Sequence, residues 1–167
     1  MDSNLSLSLG FKGQLKLNAQ AVPLQEGYLK LGGIVDATNQ SAGLKFGVVV
    51  SAPSDAPTAI VAGAGSGNII RGISVFDDAV AQNAPAHPDK YLAGTPCAFI
   101  AKGLVKVQSW AKAETNQIDP VIGAKVEFKD SDGTVGFVAS TADSSHTLLA
   151  GASVVEVTDD GAYVWLS

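Results

Sequence analysis

Short apolar runs separated by turn signals constrain the fold of this chain more than any other feature of its sequence. The runs AKVEFKD and TVGFVAS flank the turn DSDG, and SVVEVT and AYVWLS flank Asp159–Asp160–Gly161. Turns of this composition between β-branched runs are typical of antiparallel hairpins. Similar runs recur toward the N-terminus: YLKLG, KFGVVVSA, TAIVAG, NIIRGISVF and CAFIAKGLVKV, the last of which could be two strands around Lys102–Gly103. The sequence therefore predicts a mainly-β fold, a compact β-barrel or β-sandwich.

Helix is predicted only as short helical turns beside the strands. In the segment SVFDDAVAQN, Ser74 is a candidate N-cap, and Phe76 and Val80 lie one helical turn apart. This segment must end before Pro85, because proline cannot continue a helix. A second helical turn or two is predicted near Trp110.

The N-terminal segment has the clearest alternation in the sequence. Its large apolar residues all fall on odd positions: Leu5, Leu7, Leu9, Phe11, Leu15 and Leu17. A period of two predicts one or two strands with a single apolar face. We expect residues 1–45 to form an N-terminal β-arm and extended segment, and residues 46–167 to form the barrel or sandwich domain. The arm either pairs with another chain, which makes these six side chains a candidate interface, or folds back as a strand of its own domain.

The glycine-rich stretch AIVAGAGSGN has the look of a phosphate-binding loop. The dinucleotide fingerprint needs glycine at its first, third and sixth places, whereas Gly63 and Gly65 here are followed by Asn68 at the sixth. No Gly-Lys-Ser/Thr sequence follows, and the next residues, NIIRGISVF, favour a strand over the helix that would bind a phosphate. The stretch is therefore predicted to be a connection between two strands.

Other chemical motifs are also incomplete. DSSH, residues 143–146, contains the residue types of a catalytic triad, but sequence neighbours rarely adopt triad geometry, and a polar turn is predicted. Asp130, Asp132 and Gly133 begin like a calcium loop whose later acidic ligands are missing, which favours a hairpin. The single cysteine, Cys97, is predicted to be a small buried side chain. We therefore predict no catalytic residues, no cofactor and no metal site.

Charge and composition narrow the classes of partner. The net charge is −5 and the pI is about 4.8, which argues against a nucleic-acid partner, because phosphate contacts need a basic surface. No apolar run reaches the length of a membrane span, so no membrane partner is expected. The N-terminal MDSNLSLSLG lacks the basic and apolar regions of a signal peptide.

The segment RGISVFDDAVAQNAPAHPDKYLAGTPCAFIAKGLVKV resembles head cement (capsid decoration) proteins of tailed bacteriophages. The residues that carry the resemblance lie in turns and strands: Gly72, Ser74, Asp77, Asn83, Pro85, Tyr91, Leu92, Gly94, Pro96, Gly103, Val105 and Val107. The C-terminal VVEVTDDGAYVWLS fits the hairpin that closes such proteins. Within the loop NAPAHPDKYLAGTP, Tyr91 and Leu92 are predicted to pack inward and anchor it.

The resemblance implies a structural protein without catalytic residues. It implies binding to the outer surface of the major capsid protein lattice, stabilisation of the expanded head, and location on the capsid exterior after a period in the host cytoplasm. A homo-oligomer is expected, with a homotrimer favoured because many decoration proteins occupy threefold positions. The alternatives are a tail-tube subunit and a host-surface or carbohydrate-binding module. The low aromatic content of 7% weighs against the binding module.

Overall fold

The computed structural model describes residues 29–77, 89–112, 116–142 and 144–167, and these ranges contain strands and turns but no helix. The prediction of a mainly-β fold is confirmed. The strands in chain order are β1 Leu29–Val35, β2 Leu44–Lys45, β3 Val49–Pro53, β4 Ala59–Ala62, β5 Asn68–Ser74, β6 Lys90–Tyr91, β7 Pro96–Val107, β8 Lys125–Lys129, β9 Val135–Val138, β10 His146–Thr158 and β11 Gly161–Leu166.

Five strands close into a barrel in the order β1-β4-β3-β5-β7, with β7 pairing back to β1. β1 runs parallel to β4, where Ile34 lies beside Ala59, and antiparallel to β7, where Gly33 lies beside Cys97. One buried apolar cluster joins the barrel strands to the separate two-stranded pair β2–β6: Val35, Leu44, Val48, Val50, Ala52, Ile60, Tyr91, Cys97, Ala98 and Phe99. Residues 29–45 thus contribute β1 and β2 to the described body.

A second sheet continues from β7 in the order β7-β11-β10-β8-β9. β7 is one strand of 12 residues, not two, and it changes partners partway along its length. Residues before Gly103 pair with β1 and β5, whereas Gly103 and the residues after it pair with β11. A register shift places Leu29 beside Lys102 but Lys30 beside Ile100, and Gly103 has a φ of 113°. Such a bulge bends a strand, which lets β7 serve both sheets.

The two sheets share a core and direct hydrogen bonds. Val49, Ile73 and Ile100 of the barrel belong to the same buried cluster as Val126, Phe128 and Phe137 of the second sheet. The β8–β9 turn also bonds to the barrel: Val49 N donates to Gly133 O (2.8 Å) and Ala64 N donates to Asp130 O (2.9 Å). Barrel and sheet are therefore held together by apolar packing and by main-chain bonds.

The outer edge of β9 is covered by the chain that leads into β8. Ala111 N donates to Val135 O and Ile118 N donates to Phe137 O, both at 2.8 Å. Trp110 packs against Phe137 with ring centroids 5.7 Å apart. A covered edge is protected from pairing with strands of other molecules.

The prediction of a helix starting at Ser74 is wrong for residues 74–77, the part of that segment that the structure describes. Ser74 is the last residue of β5, and residues 75–77 are not helical. The Ser74 hydroxyl donates to Lys45 O (2.7 Å) and accepts a bond from Val48 N (3.1 Å), so it holds the β2–β3 turn and does not cap a helix. Residues 78–83 lie outside the described residues. Near Trp110, residues 108–112 are not helical either, and residues 113–115 are not described.

Candidate interaction surfaces

The six residues predicted as an interface precede the part of the chain that the structure describes: Leu5, Leu7, Leu9, Phe11, Leu15 and Leu17. The described chain begins at Leu29, which lies beside Lys102. The N-terminal segment therefore joins the body next to the place where β7 changes partners.

The most exposed large apolar side chain of the described residues, Ile122, lies on a turn before β8. Ile122 is 74% exposed and Val121 is 54% exposed. Ala124 N donates to Val121 O (2.9 Å), and Gly123 at the third position has a φ of 86°, as a type II turn requires. The turn is tied to β10, because Gly123 N donates to Val154 O (2.8 Å) and Val154 N donates to Ala124 O (3.0 Å).

Val155 is a further exposed apolar residue, next in sequence to the residue that bonds to this turn. It follows Val154 at a register shift between β10 and β11, and its side chain is 44% exposed. We call Val121, Ile122 and Val155 the turn patch. Exposed apolar side chains on a backbone that is already hydrogen-bonded are typical of sites of protein contact. The sequence analysis missed this patch, although two β-branched residues between Pro120 and Gly123 are an unusual composition for an exposed turn.

Tyr91 anchors its loop from inside the protein, which confirms the prediction for this residue. It is 2% exposed, and its hydroxyl donates to Val75 O (2.7 Å). Its ring meets Phe46 edge-on with centroids 4.9 Å apart. Burial raises the pKa of Tyr91 to about 12. Leu92 is half-buried.

The glycines of AIVAGAGSGN connect β4 to β5, as predicted. Gly63, Gly65 and Gly67 have φ values of 79°, 43° and 75°. A Cβ on Gly63 would lie 2.2 Å from Asp130 O, so glycine allows the β8–β9 turn to approach. The chain then continues as β5, and no helix begins there to bind a phosphate.

A buried polar network was not expected from the sequence. His146, which the sequence analysis placed in a polar turn, is instead the buried first residue of β10. Its Nε2 lies 3.4 Å from Gln117 Nε2, and its Nδ1 lies 3.0 Å from Ser145 Oγ. Gln117 Nε2 in turn donates to Oε1 of the fully buried Glu127 (2.8 Å). The alternation of apolar and polar residues in residues 126–128 indicated a strand, but no neighbouring residue indicated that the Glu127 side chain would be buried.

Asp132 and Cys97, which the sequence analysis singled out, have structural roles. Asp143 lies outside the described residues, and His87 does too. Asp132 Oδ1 accepts a bond from Thr134 N (2.9 Å) within the β8–β9 turn, as the hairpin prediction required. Cys97 is buried as predicted, and burial raises its pKa to about 11, so the thiol stays protonated and unreactive.

The described residues bear on two other kinds of site. They contain no group of three or more His, Cys, Asp or Glu side chains that could hold a metal ion. Within the same part of the chain there is no helix long and apolar enough to cross a membrane.

The described body is a closed β-barrel joined to a second sheet, with the turn patch exposed on its surface. The family model described as "Structural cement protein (E217 gp24/Pam3 gp6)" matches residues 2–167, which is nearly the whole chain. The chain belongs to this family of phage structural cement proteins, and the resemblance seen in residues 71–107 is confirmed. Membership implies a structural role in the phage capsid in association with capsid proteins. A search of the curated proteins finds no significant match.

Proposed function

We propose that this protein is a capsid decoration protein, which binds the outer surface of the major capsid protein lattice and stabilises the expanded head. Before assembly it is held in the host cytoplasm as a homotrimer and has no catalytic activity. The observation that carries the proposal is the cement-protein family match over residues 2–167.

The turn patch supports binding to a protein surface. Ile122 and Val121 are exposed in the described body, and full burial of an aliphatic side chain contributes about 1.5–3 kcal/mol. The turn is already fixed by main-chain bonds to Val154, so little conformational entropy is lost when a partner covers it. Modest contacts suffice on a capsid lattice, because many copies act together.

The N-terminal arm supplies the second contact. Its six apolar side chains lie on one face of the alternating segment: Leu5, Leu7, Leu9, Phe11, Leu15 and Leu17. A lone strand or hairpin is marginal in water, so such a face needs a partner. In this proposal the arm adds to a sheet of a neighbouring copy through main-chain hydrogen bonds and holds the trimer together.

Binding to heads tests the proposal directly. Purified full-length protein is mixed with undecorated expanded heads and with unexpanded heads, and both are imaged by electron cryomicroscopy. We expect added density on the outside of expanded heads at regular lattice positions. Absence of binding to expanded heads would overturn the proposal. Tubes or rings formed by the protein alone would indicate a tail-tube subunit instead.

A matched pair of variants locates the contact. Ile122→Asp places a charge in the turn patch, and Ile34→Asp places one at another exposed apolar side chain, on β1. We expect the first variant to lower head occupancy at least tenfold and the second to leave it unchanged. Equal head occupancy for the two variants would exclude the turn patch from the contact with the head. Whether the protein decorates heads at all is decided by the imaging experiment.

A further inference from the structure

Two strands of the described body each have a length of edge without a partner strand. β5 pairs with β3 from Asn68 to Ile73, but only its last two residues, Ile73 and Ser74, pair with β7. β10 pairs with β11 from Ala152 onward, whereas residues 146–148 pair with β8 alone. Unpaired strand edges carry main-chain donors and acceptors in position to bind another strand.

Both edges line one cleft, between the barrel and the second sheet. Its volume is about 300 Å³. It is lined on one side by Ile70 and Gly72 of β5, and on the other by Leu148 and Ala150 of β10, with Leu166 of β11 between them. The cleft thus combines an apolar lining with main-chain groups on two sides, which is what strand addition requires.

Arg71 contributes to the cleft a hydrogen-bond donor that has no acceptor. Its side chain lines the cleft, and its Nε is buried with no hydrogen-bond partner. A buried N–H without a partner is unfavourable, and an acceptor that enters the cleft would relieve this. The carbonyl oxygens of an added strand are acceptors of the right kind.

We propose that the cleft receives the arm of a second copy of this chain as an added β-strand, with residues 5–9 of the arm lying along the unpaired edges. This inference rests on the proposed arm and names the site that receives it. Alternation puts Leu5, Leu7 and Leu9 on one face, to pack against Ile70 and Leu148, and leaves the serines between them facing out.

The length of chain before the described body favours a second copy over the same copy. Leu29 lies beside Lys102, next to Ala101 of the cleft lining, so a few residues would be enough to reach the cleft of the same copy. Residues 18–28 instead provide a linker of roughly 36–40 Å when extended. A body of this size has a radius of gyration of about 14 Å, so the linker spans it. Because the arm and the cleft are different surfaces, each copy gives its arm to the next, and three copies close a ring.

Disulfide trapping in the full-length protein tests this placement. The double variant Leu7→Cys/Ala150→Cys places one cysteine on the face of the arm that enters the cleft and one in the cleft lining, and it is oxidised mildly and separated under denaturing, non-reducing conditions. The control is Leu7→Cys/Asp55→Cys, since Asp55 is exposed in the β3–β4 connection and does not line the cleft. Cys97 is buried and does not compete. We expect covalent dimers and trimers in the first variant, at a yield at least fivefold above the control, with positions 7 and 150 joined in the peptide mass spectrum.

Three results would overturn the proposal. These are equal yields in both variants, no bond between positions 7 and 150, and a bond formed only within one copy. This experiment contains no capsids. Its failure would therefore count against the cleft assignment alone, whereas failure to bind heads would count against the decoration function.

A second pair of variants avoids cysteine chemistry. Ala150→Arg fills the cleft, and Thr147→Arg adds the same side chain at an exposed position of β10 outside it. We expect native mass measurement to show monomer for Ala150→Arg and trimer for Thr147→Arg. The same mass for both variants, with both folded, would count against the cleft.

Discussion

The Nε2 atom of Gln117 donates a 2.8 Å hydrogen bond to Oε1 of Glu127, in space that Gly136 leaves open. A Cβ on Gly136 would lie 2.8 Å from that Nε2 and 3.1 Å from that Oε1. Gln117 also bridges to Val138 through its main chain, so the side-chain bond pins the covering segment to the edge of β9. The glycine, the glutamine and the buried carboxyl therefore act as one structural unit.

Gly136→Ala should break this unit. The added methyl group displaces the Gln117 side chain, and Glu127 then loses its partner while still buried. We expect a loss of about 2–4 kcal/mol in the free energy of unfolding, measured by urea denaturation. Gly32→Ala is the control, since a Cβ there comes no closer than 3.4 Å to its neighbour, and it should cost less than about 1 kcal/mol. Equal midpoints for the two variants would refute the assignment.

Tyr91 should contribute to stability through both its ring and its hydroxyl. Tyr91→Ala removes a buried aromatic side chain and should cost about 3–5 kcal/mol. Tyr91→Phe keeps the ring but leaves Val75 O without its donor, and should cost about 1–3 kcal/mol. Thermal or urea unfolding measures both. If Tyr91→Ala melts like the unchanged protein and loses only head binding, Tyr91 is an interface residue and its role as an anchor is wrong.

Stability should fall between about pH 10 and pH 12, in part because of Tyr91. Burial raises the pKa of Tyr91 from 10.0 to about 12 in the folded protein. Between these values the unfolded chain loses the phenol proton while the folded chain keeps it, so rising pH favours unfolding. This residue contributes about 2–3 kcal/mol to the free energy of unfolding below pH 10, and this contribution is mostly lost by pH 12 and fully lost only above it. Tyr91→Phe should show a correspondingly shallower decline, and parallel pH profiles for the two proteins would disprove this.

Deletion of residues 1–17 separates the two roles of the N-terminal segment. If the segment is an intermolecular arm, the shortened protein stays folded, because the barrel of residues 29–107 closes without it, but falls to monomer or no longer decorates heads. Circular dichroism and native mass measurement distinguish the outcomes. If the deletion unfolds or aggregates, the segment is a strand of its own domain. A folded deletion that keeps its oligomeric state and head binding would defeat the arm hypothesis.

The hairpins could be read from the sequence because their signals are local. DSDG and Asp159–Asp160–Gly161 place turn residues between β-branched runs, and β8–β9 and β10–β11 form there. The inward position of Tyr91 followed from its place in a loop that prolines and Gly94 shape, where a large side chain is needed as an anchor. In each of these cases, the residues that decide the structure are neighbours in sequence.

Long-range pairing could not be read in the same way. Closure of the barrel joins β1 to β7 across more than sixty residues, and no residue of either strand encodes its partner. The switch of partners at Gly103 depends on a bulge, which a continuous apolar run does not reveal. Burial of Glu127 depends on a covering segment that reaches it only in the folded chain. The turn patch could not be predicted from the sequence for the same reason, because Ile122 becomes part of it only when β10 lies beside its turn.

The most direct test of the cement role is the temperature at which DNA-filled expanded heads rupture, measured by release of DNA to a fluorescent dye. Heads without the decoration protein are compared with the same heads after addition of purified full-length protein. Decoration should raise the rupture temperature, and the increase should saturate when the lattice positions are filled. An unchanged rupture temperature on heads that are fully decorated would contradict the stabilising role.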